Sequence, residues 1–363
     1  MADHSRTINT TINKYVRGET VTIFRKRKLM AMVNSRGRMS FNNSGLELEW
    51  KLRYKQSPLT GYEDMDTLTF ARNDRWTSAV LPYRGYVKTD AMTVVEKLKN
   101  RGDPAIVKYW SDLSKIMMSE FKEQIPEEFY TDGNATGKSK NWHGIDSFCS
   151  VSGANSSAPI GINNDTYAGL STALAAKGGS WSGTWPEGTG DAHYDYWTPL
   201  VVDYTSANAG AAGWGASTKT WPNTCLEALR FGIIHGQNSK RGGKMDVILT
   251  TKALYRQFLD KLQAEEQINV SRGEGSSGLY KLGFTDITNF DGTDVTWEYG
   301  PPETTAFGWC LDDLEIMCME DELIKVVGPD FDMATQSDRF AMRMLGNLRF
   351  ESIRGFVKWD NVS

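Results

Sequence analysis

The sequence has 363 residues, of which 40% are hydrophobic and 24% charged, enough to bury one or two hydrophobic cores. Its formal net charge of −4 argues against a protein that coats nucleic acid through charge alone. No apolar run approaches the roughly 20 residues that cross a bilayer, and the first residues lack the apolar segment of a signal peptide. The cysteines lie far apart without a CxxC pair, so we expect no disulfide framework, no metal site and no cofactor.

The chain begins with a basic segment. Residues 1–40 hold nine basic side chains against two acids, Asp3 and Glu19. A solvated arm and an arm that docks on a neighbouring subunit or an anionic partner both remain open for such a run. Several large apolar residues lie between the charges, which favours docking of residues 14–40 on an adjacent subunit. The basic residues expected at that contact are Arg25, Lys26, Arg27 and Lys28.

A period-two pattern follows the basic segment. Apolar and charged side chains alternate from residue 46 to residue 54, which predicts a strand with one apolar face. A turn-prone segment and renewed alternation, up to Tyr86, complete a long two-stranded ribbon with acidic residues at its tip. A lone ribbon cannot bury its apolar face, so we expect this face to contact another subunit. The residues of the face are Leu46, Leu48, Trp50, Leu52 and Tyr54.

Helices are predicted next, over residues 90–100 and from Asp103-Pro104, a good helix start, to Pro126. Residues 142–220 are rich in glycine, serine and tryptophan, which indicates ordered loops with short strands. Helices over 223–235 and 252–264 then enclose a buried strand at 246–249, and further strands are expected at 295–299 and 307–319. Alternation around Gly346-Asn347 predicts a closing hairpin, because this dipeptide favours the positive φ of a tight turn. Strands and helices are segregated, so the fold class is α+β.

Motifs that could carry chemistry are weak. Residues 132–139 resemble a phosphate-binding loop, but Asp132 stands where that motif requires glycine. Asp191, His193 and Asp195 could form a metal or acid–base cluster, yet no further ligand has a recognisable spacing. The tryptophans between 181 and 221 could stack on sugars or could hold loops to a scaffold. We therefore predict a protein that is not an enzyme.

The order of elements resembles one family, the tailed-phage major capsid proteins with the Hong-Kong-97-type fold. Residues 160–167, followed by Tyr196-Trp197, resemble the family's Gly-Ile-Asp-Arg-Ser-Thr and Tyr-Trp stretch, with Asn163-Asn164 in place of Asp-Arg. Residues 245–251 followed by Leu254-Tyr255 resemble its strand-then-helix element. Residues 282–292 and the segment Gly346-Asn347-Leu348 also fit. Lys55 lies near the ribbon tip, but no residue is assigned to the covalent crosslink of some relatives.

The resemblance implies an N-terminal arm (1–45), an extended E-loop (46–88), a P-domain with a spine helix (89–145), an A-domain (146–319) and return strands of the P-domain (320–363). It implies a structural protein that forms hexamers and pentamers of an icosahedral phage head around double-stranded DNA. The expected partners are other copies, portal and scaffolding proteins, and DNA on the inner face without sequence specificity, with no membrane.

The expected location is the virion, after assembly in the host cytoplasm. The 45 residues before the ribbon are too few for a fused scaffolding domain, so a separate scaffolding protein is expected. Two alternatives stay open. One is an encapsulin-type nanocompartment shell, which has the same fold but usually begins with a helix that holds cargo peptide. The other is a carbohydrate-binding protein, which would leave the ribbon and the long helix unexplained.

Overall fold

The computed structural model describes residues 27–53, 60–67, 70, 72, 75–99, 103–155, 158–173, 197–207, 214–236, 244–264 and 277–362. Its α-helices are α1 (Lys28–Ser35), α2 (Val94–Lys99), α3 (Asp103–Glu128), α4 (Trp221–Gly236) and α5 (Lys252–Ala264). The strands are β1 (Met39–Ser40), β2 (Glu47–Arg53), β3 (Trp76–Pro82), β4 (Arg84–Thr93), β5 (Val151–Ala154), β6 (Gly161–Asn163), β7 (Thr166–Tyr167), β8 (Leu170–Ser171), β9 (Leu200–Asp203), β10 (Val247–Thr250), β11 (Ile287–Phe290), β12 (Thr293–Trp297), β13 (Ala306–Trp309), β14 (Leu314–Cys318), β15 (Lys325–Asp332), β16 (Ser337–Phe350) and β17 (Val357–Asp360). Within these ranges, no helix combines the length and hydropathy that a bilayer crossing requires.

One sheet has five strands and is built around β16. Its order is β1-β14-β16-β15, and β4 pairs with β16 as well. Alternate β16 side chains point to the face that the long helix α3 covers, and Phe340 lies edge-on to Trp110 of that helix with ring centroids 5.7 Å apart. Met342 and Met344 on the same face are fully buried. The amphipathic stripe of α3 therefore forms one core layer with this sheet.

The other sheet has six strands in the order β11-β12-β10-β13-β17-β9. Buried strand residues alternate between its two faces. Ile248 and Trp359 belong to a core with α4 and α5, whereas Val247 and Phe307 belong to the core that also contains α3. This sheet is therefore covered on both sides, which explains why β10 is buried at every residue instead of at alternate ones.

The predicted ribbon is present. Strands β2 and β3 pair antiparallel from Glu47↔Pro82 to Arg53↔Trp76, and β2 is buried at every second residue. The helices predicted at 223–235 and 252–264 correspond to α4 and α5, and the latter has the predicted bounds. The sequence pattern therefore located the ribbon and these helices correctly.

Two helix predictions need correction. The helix predicted over 90–100 begins only at Val94, because residues 90–93 belong to strand β4, which pairs with β16 along ten residues. Helix α3 does not end at Pro126 but at Glu128. A proline so close to the end disturbs few helix hydrogen bonds, and the N–H of Phe129 still bonds to the carbonyl of Ile125 at 3.1 Å.

The predicted hairpin at Gly346-Asn347 is wrong. Strand β16 runs through both residues, and the turn lies instead between β15 and β16. Glycine is needed at 346 for space, since an added Cβ would lie 2.2 Å from the carbonyl oxygen of Met317 on β14. The Gly-Asn pair thus marks a close approach of two strands, which Gly permits in a strand interior.

The expected strand over 307–319 is divided. A 3-10 turn at Leu311–Asp313 separates β13 of the six-stranded sheet from β14 of the five-stranded sheet. Strand β17 crosses in the opposite direction and joins the six-stranded sheet, although residues after 320 were expected to stay with the P-domain strands. The chain therefore passes from the six-stranded sheet to the five-stranded sheet between β13 and β14, and it returns to the six-stranded sheet at β17.

Candidate intersubunit surface

The base of the ribbon packs inside its own chain. Leu48, Trp50 and Leu52 are 5%, 8% and 3% exposed. The Trp50 ring lies 6.5 Å from that of Tyr167, and the Arg349 guanidinium lies 5.8 Å from the Trp50 ring centroid. The expectation that these three residues contact another subunit is therefore wrong, because all three are buried within their own chain, where Tyr167 of β7 and Arg349 of β16 lie against Trp50.

Hydrogen bonds hold the ribbon root, which is the base formed by strands β2 and β3, against the rest of the chain. The N–H of Val80 on β3 donates to the carbonyl of Ala168 at 3.0 Å. The side-chain amide of Asn347 donates to the carbonyl of Pro82 at 2.8 Å. The root of the ribbon is therefore anchored to both the β7–β8 turn and the central strand β16.

Among the described residues from Tyr62 to Trp76, the large apolar side chains are exposed. Met65 is 96% exposed, Phe70 92%, Tyr62 72% and Trp76 57%. Leu46, just before the ribbon, is 95% exposed, which fits the predicted contact residue, whereas Tyr54 lies outside the described residues. The sequence reading missed Met65, Phe70 and Trp76. The available signal was their position beside the acidic tip, where large apolar residues have no core to enter.

The basic segment enters the core at α1. Leu29, Met30 and Met32 are at most 1% exposed, and Lys28 is 7% exposed. The Nζ of Lys28 donates to Thr296 Oγ1 at 2.7 Å and to the Trp297 carbonyl at 2.8 Å. The predicted subunit contact is therefore wrong for Lys28 and for these apolar residues, which are buried within their own chain.

The other basic residues of that prediction divide into two groups. The Arg27 guanidinium lies 5.9 Å from the centroid of the Tyr299 ring in the same chain. Arg25 and Lys26 lie outside the described residues. The structure thus gives Arg27 a partner in its own chain and leaves the contact expected of Arg25 and Lys26 untested.

Burial and charge act together around Lys28. Burial lowers the pKa of Lys28 to about 8, although Asp286 and Glu298 oppose this change. Burial raises the pKa of Glu298, opposed by a hydrogen bond from Tyr130. The Tyr130 hydroxyl donates to the Glu298 carboxylate at 2.8 Å. This buried polar cluster joins α1, α3 and the end of β12.

A second buried polar group lies at the ribbon root. The N–H of His143 donates to Asn347 Oδ1 at 2.9 Å, and the Asn347 amide lies 2.9 Å from His143 Nδ1. An amide nitrogen can only donate, so His143 Nδ1 is the acceptor and the ring is neutral. Burial, aided by the charge of Arg84, lowers the pKa of His143 to about 4.

Lys358 of β17 forms a third buried group. Its Nζ lies 2.8 Å from Asp146 Oδ1 and 3.0 Å from Asp360 Oδ2. Burial opposes its charge, but Asp146 and Asp360 outweigh burial and raise the pKa of Lys358. Burial raises the pKa of Asp146 to about 6, against the attraction of Lys358. All charges here are paired, which fits a structural clamp between β17 and the loop after α3.

The motifs considered for chemistry receive no support. In the described part of the chain, no group of three or more His, Cys, Asp or Glu side chains could hold a metal ion. Residues 132–139 form turns after a helix, whereas a phosphate-binding loop follows a strand. Asp191, His193 and Asp195 lie outside the described residues. Trp197, Trp214 and Trp221 are at most 6% exposed, so they offer no platform for sugars.

Two capsids are among the solved structures with a similar fold. The capsid asymmetric unit of cyanophage A-1(L) matches with a TM-score of 0.55 and 16% sequence identity, and the match covers 90% of each chain. The capsid of a native GTA particle matches with a TM-score of 0.53 and 10% identity over 92% of this chain and 91% of that chain.

The chain has the Hong-Kong-97-type capsid fold.

No protein-family model matches this sequence, and a search of the curated proteins finds no significant match. At such low identity, the capsid fold is recognised by the path of its backbone and not by individual residues. The expected fold class, with its ribbon and long helix, is confirmed.

Proposed function

We propose that this chain is the major capsid protein of an icosahedral phage shell. The observation that carries the proposal is the match of its whole fold, over about nine-tenths of both chains, to subunits of two particle shells. A fold alone does not define a function. The proposal therefore also depends on a surface that is suited to association between copies. The distal ribbon, which is the part of the ribbon from the Arg53–Trp76 pair to the tip, provides such a surface.

Exposure of the distal ribbon to water is unfavourable. Its exposed apolar side chains are Tyr62, Met65, Phe70 and Trp76. Burying each large apolar side chain stabilises an assembly by roughly 1.5–3 kcal/mol. The ribbon tip and its own root differ in surface, so a contact between the tip of one copy and the body of another is heterologous and closes into rings by rotation. Rings of this kind are the hexamers and pentamers of a shell.

The exposed charges near the tip make such a contact selective for one partner surface. Glu63, Asp64 and Asp66 lie among the exposed apolar residues, and the N–H of Glu63 donates to Asp66 Oδ2 at 2.9 Å. Charged groups around an apolar contact favour one partner surface and disfavour others. We therefore place the intersubunit contact at residues 60–76 and at Leu46, and remove Leu48, Trp50 and Leu52 from it.

The domain assignment follows the two sheets. The five-stranded sheet with α3 is the proposed P-domain, and the six-stranded sheet with α4 and α5 is the proposed A-domain. On this assignment β14 belongs to the P-domain and β17 to the A-domain, which shifts the boundaries expected at residues 319 and 320. Portal and scaffolding proteins, packaged DNA on the inner face, a place in the virion and assembly in the host cytoplasm are further parts of the proposal.

Negative-stain electron microscopy of the expressed protein, with sedimentation of the same sample, tests the function. Closed shells, or rings of five or six copies, are expected, and a stable monomer at all concentrations would contradict it. Shells that enclose cargo enzymes in place of DNA would favour the encapsulin-type alternative. Analysis of the nucleic acid and protein content of the particles separates these two outcomes.

A further inference from the structure

A groove of about 950 Å³ lies where the strands β9, β10, β12 and β17 end. Its floor is apolar and rigid. Tyr204, Trp221 and Leu254 on the floor are 5%, 3% and 6% exposed. The Trp221 indole N–H donates to the Leu254 carbonyl at 3.0 Å, and the Tyr204 and Trp221 rings are 5.1 Å apart. The volume is at the upper end of the range of roughly 300–1,000 Å³ for binding pockets.

The rim of the groove carries excess negative charge. Glu127 at the end of α3 and Glu303 in the loop after β12 are exposed and line it, against one exposed cation, Lys252. The Lys252 ammonium lies over the Trp297 ring, 4.7 Å from its centroid. Two exposed carboxylates against one ammonium give a net charge of −1. The groove therefore suits an extended segment with apolar and basic residues.

The first described residue, Arg27, lies at this groove, so residues 1–26 of the same chain lead into it. Arg27, the first described residue, places its guanidinium 5.9 Å from the ring centroid of Tyr299, and Tyr299 lines the groove. Helix α1 then begins at Lys28, whose ammonium bonds to the neighbouring Trp297 carbonyl. An extended chain advances roughly 3.3 Å per residue, so the seven residues before Arg27 reach about 23 Å along the groove.

The sequence just before Arg27 complements the groove. Val21, Ile23 and Phe24 supply apolar side chains for the floor, and Arg25 and Lys26 supply cations for the rim. We propose that residues 20–26 dock in the groove of their own chain. The docked segment would link the end of α3 to the start of α5. This inference does not depend on the capsid function, since it concerns a contact within one subunit.

Chemical crosslinking of the full chain tests the proposal. Ile23→Cys is combined with Ala253→Cys, an exposed groove residue at the start of α5, and treated with a short bismaleimide. A Cys310→Ser background removes the half-buried native thiol, while the other three cysteines are buried. The control pair is Ile23→Cys with Ala334→Cys, which is exposed on the β15–β16 turn. Isotope-labelled and unlabelled protein are mixed before the reaction, and crosslinked peptides are identified by mass spectrometry.

The expected result is a crosslink between peptides of the same label, in higher yield than for the control pair. Glu127→Lys with Glu303→Lys should lower that yield about threefold to thirtyfold, the effect of losing two exposed charge pairs. The matched change Glu47→Lys with Glu49→Lys, on the ribbon, should leave it unchanged. Crosslinks of mixed label would show that another copy fills the groove, and a yield no higher than the control would show that the segment lies elsewhere. Either result overturns the proposal.

Discussion

The carboxylate of Glu298 caps helix α1 by accepting the backbone N–H of Leu29, which lies 269 residues earlier in the chain. Both carboxylate oxygens take part, at 3.2 and 3.3 Å from the nitrogen. A negative charge at a helix N-terminus satisfies an unpaired N–H and complements the helix dipole. The contact therefore holds α1 at the end of β12.

Removal of this cap should destabilise the protein. Glu298→Ala leaves the Leu29 N–H and the Tyr130 hydroxyl buried without their acceptor, which should lower the free energy of unfolding by about 2–4 kcal/mol. Glu298→Gln keeps an acceptor oxygen and should cost less than half of that. Denaturant unfolding measures both, with Glu49→Ala on the exposed ribbon face as the control, expected within about 0.5 kcal/mol of the parent. A loss of less than 0.5 kcal/mol for Glu298→Ala would contradict the capping role.

The protein should lose stability in mild acid through His143. Its pKa is lowered to about 4 in the folded state, against a value near 6.5 in the unfolded chain. The unfolded state therefore binds more protons as pH falls from 6.5 to 4, so the free energy of unfolding decreases over this window. The loss due to this histidine should reach about 2 kcal/mol by pH 5.

Other groups also titrate in acid, so the contribution of His143 is measured by difference. The free energy of unfolding is determined from pH 7.5 to pH 5 for the parent and for His143→Gln. The variant should show a shallower decline, whatever its stability at neutral pH. Parallel curves for the two proteins would mean that His143 titrates normally.

A substitution at Asn347 tests whether the chain forms a strand or a turn near the end of β16. In the structure its side chain bonds to His143 and Pro82, so Asn347→Gly should cost about 2–4 kcal/mol in unfolding free energy. In a tight turn with positive φ the same change would be neutral. Asn42 is the matched control, since its φ of 57° lies in the left-handed region and Asn42→Gly there should be neutral or slightly stabilising. If both substitutions leave the free energy of unfolding unchanged, residues 346–347 form the turn that the sequence predicts and not a strand.

The sequence predicted those elements whose pattern depends on local periodicity. The predictions of strand β2 and helix α5 were both correct, because one side of each element is buried and the other is exposed to solvent. In β2 the buried side carries Leu48, Trp50 and Leu52. The pattern could not tell which surface covers the buried side. For these three β2 residues, that surface is the same chain, through contacts such as Trp50 with Tyr167.

The errors arose where long-range packing replaces a local rule. Gly346 reads as a turn residue, but its role is to admit the Met317 carbonyl from a neighbouring strand. Residues 90–93 belong to the predicted helix, but the ten consecutive pairs of β4 with β16 make them part of a strand. The Glu298 cap of α1 joins residues too far apart in sequence for any local pattern to reveal.

The distal ribbon is the central element of the proposed function, so its removal should prevent shell assembly. Arg53 and Trp76 are paired across the ribbon, so residues 54–75 can be replaced by Asn-Gly, which closes a two-residue hairpin. This variant keeps Leu48, Trp50 and Leu52 in the core. It should therefore fold as the parent does, by circular dichroism and thermal unfolding.

The deciding measurement is electron microscopy of this variant beside the parent protein, under conditions in which the parent forms shells. We expect a folded subunit that forms no closed particles, because the exposed residues Met65 and Phe70 that would contact the next copy are gone. Normal shells from the variant would show that the distal ribbon does not join the subunits.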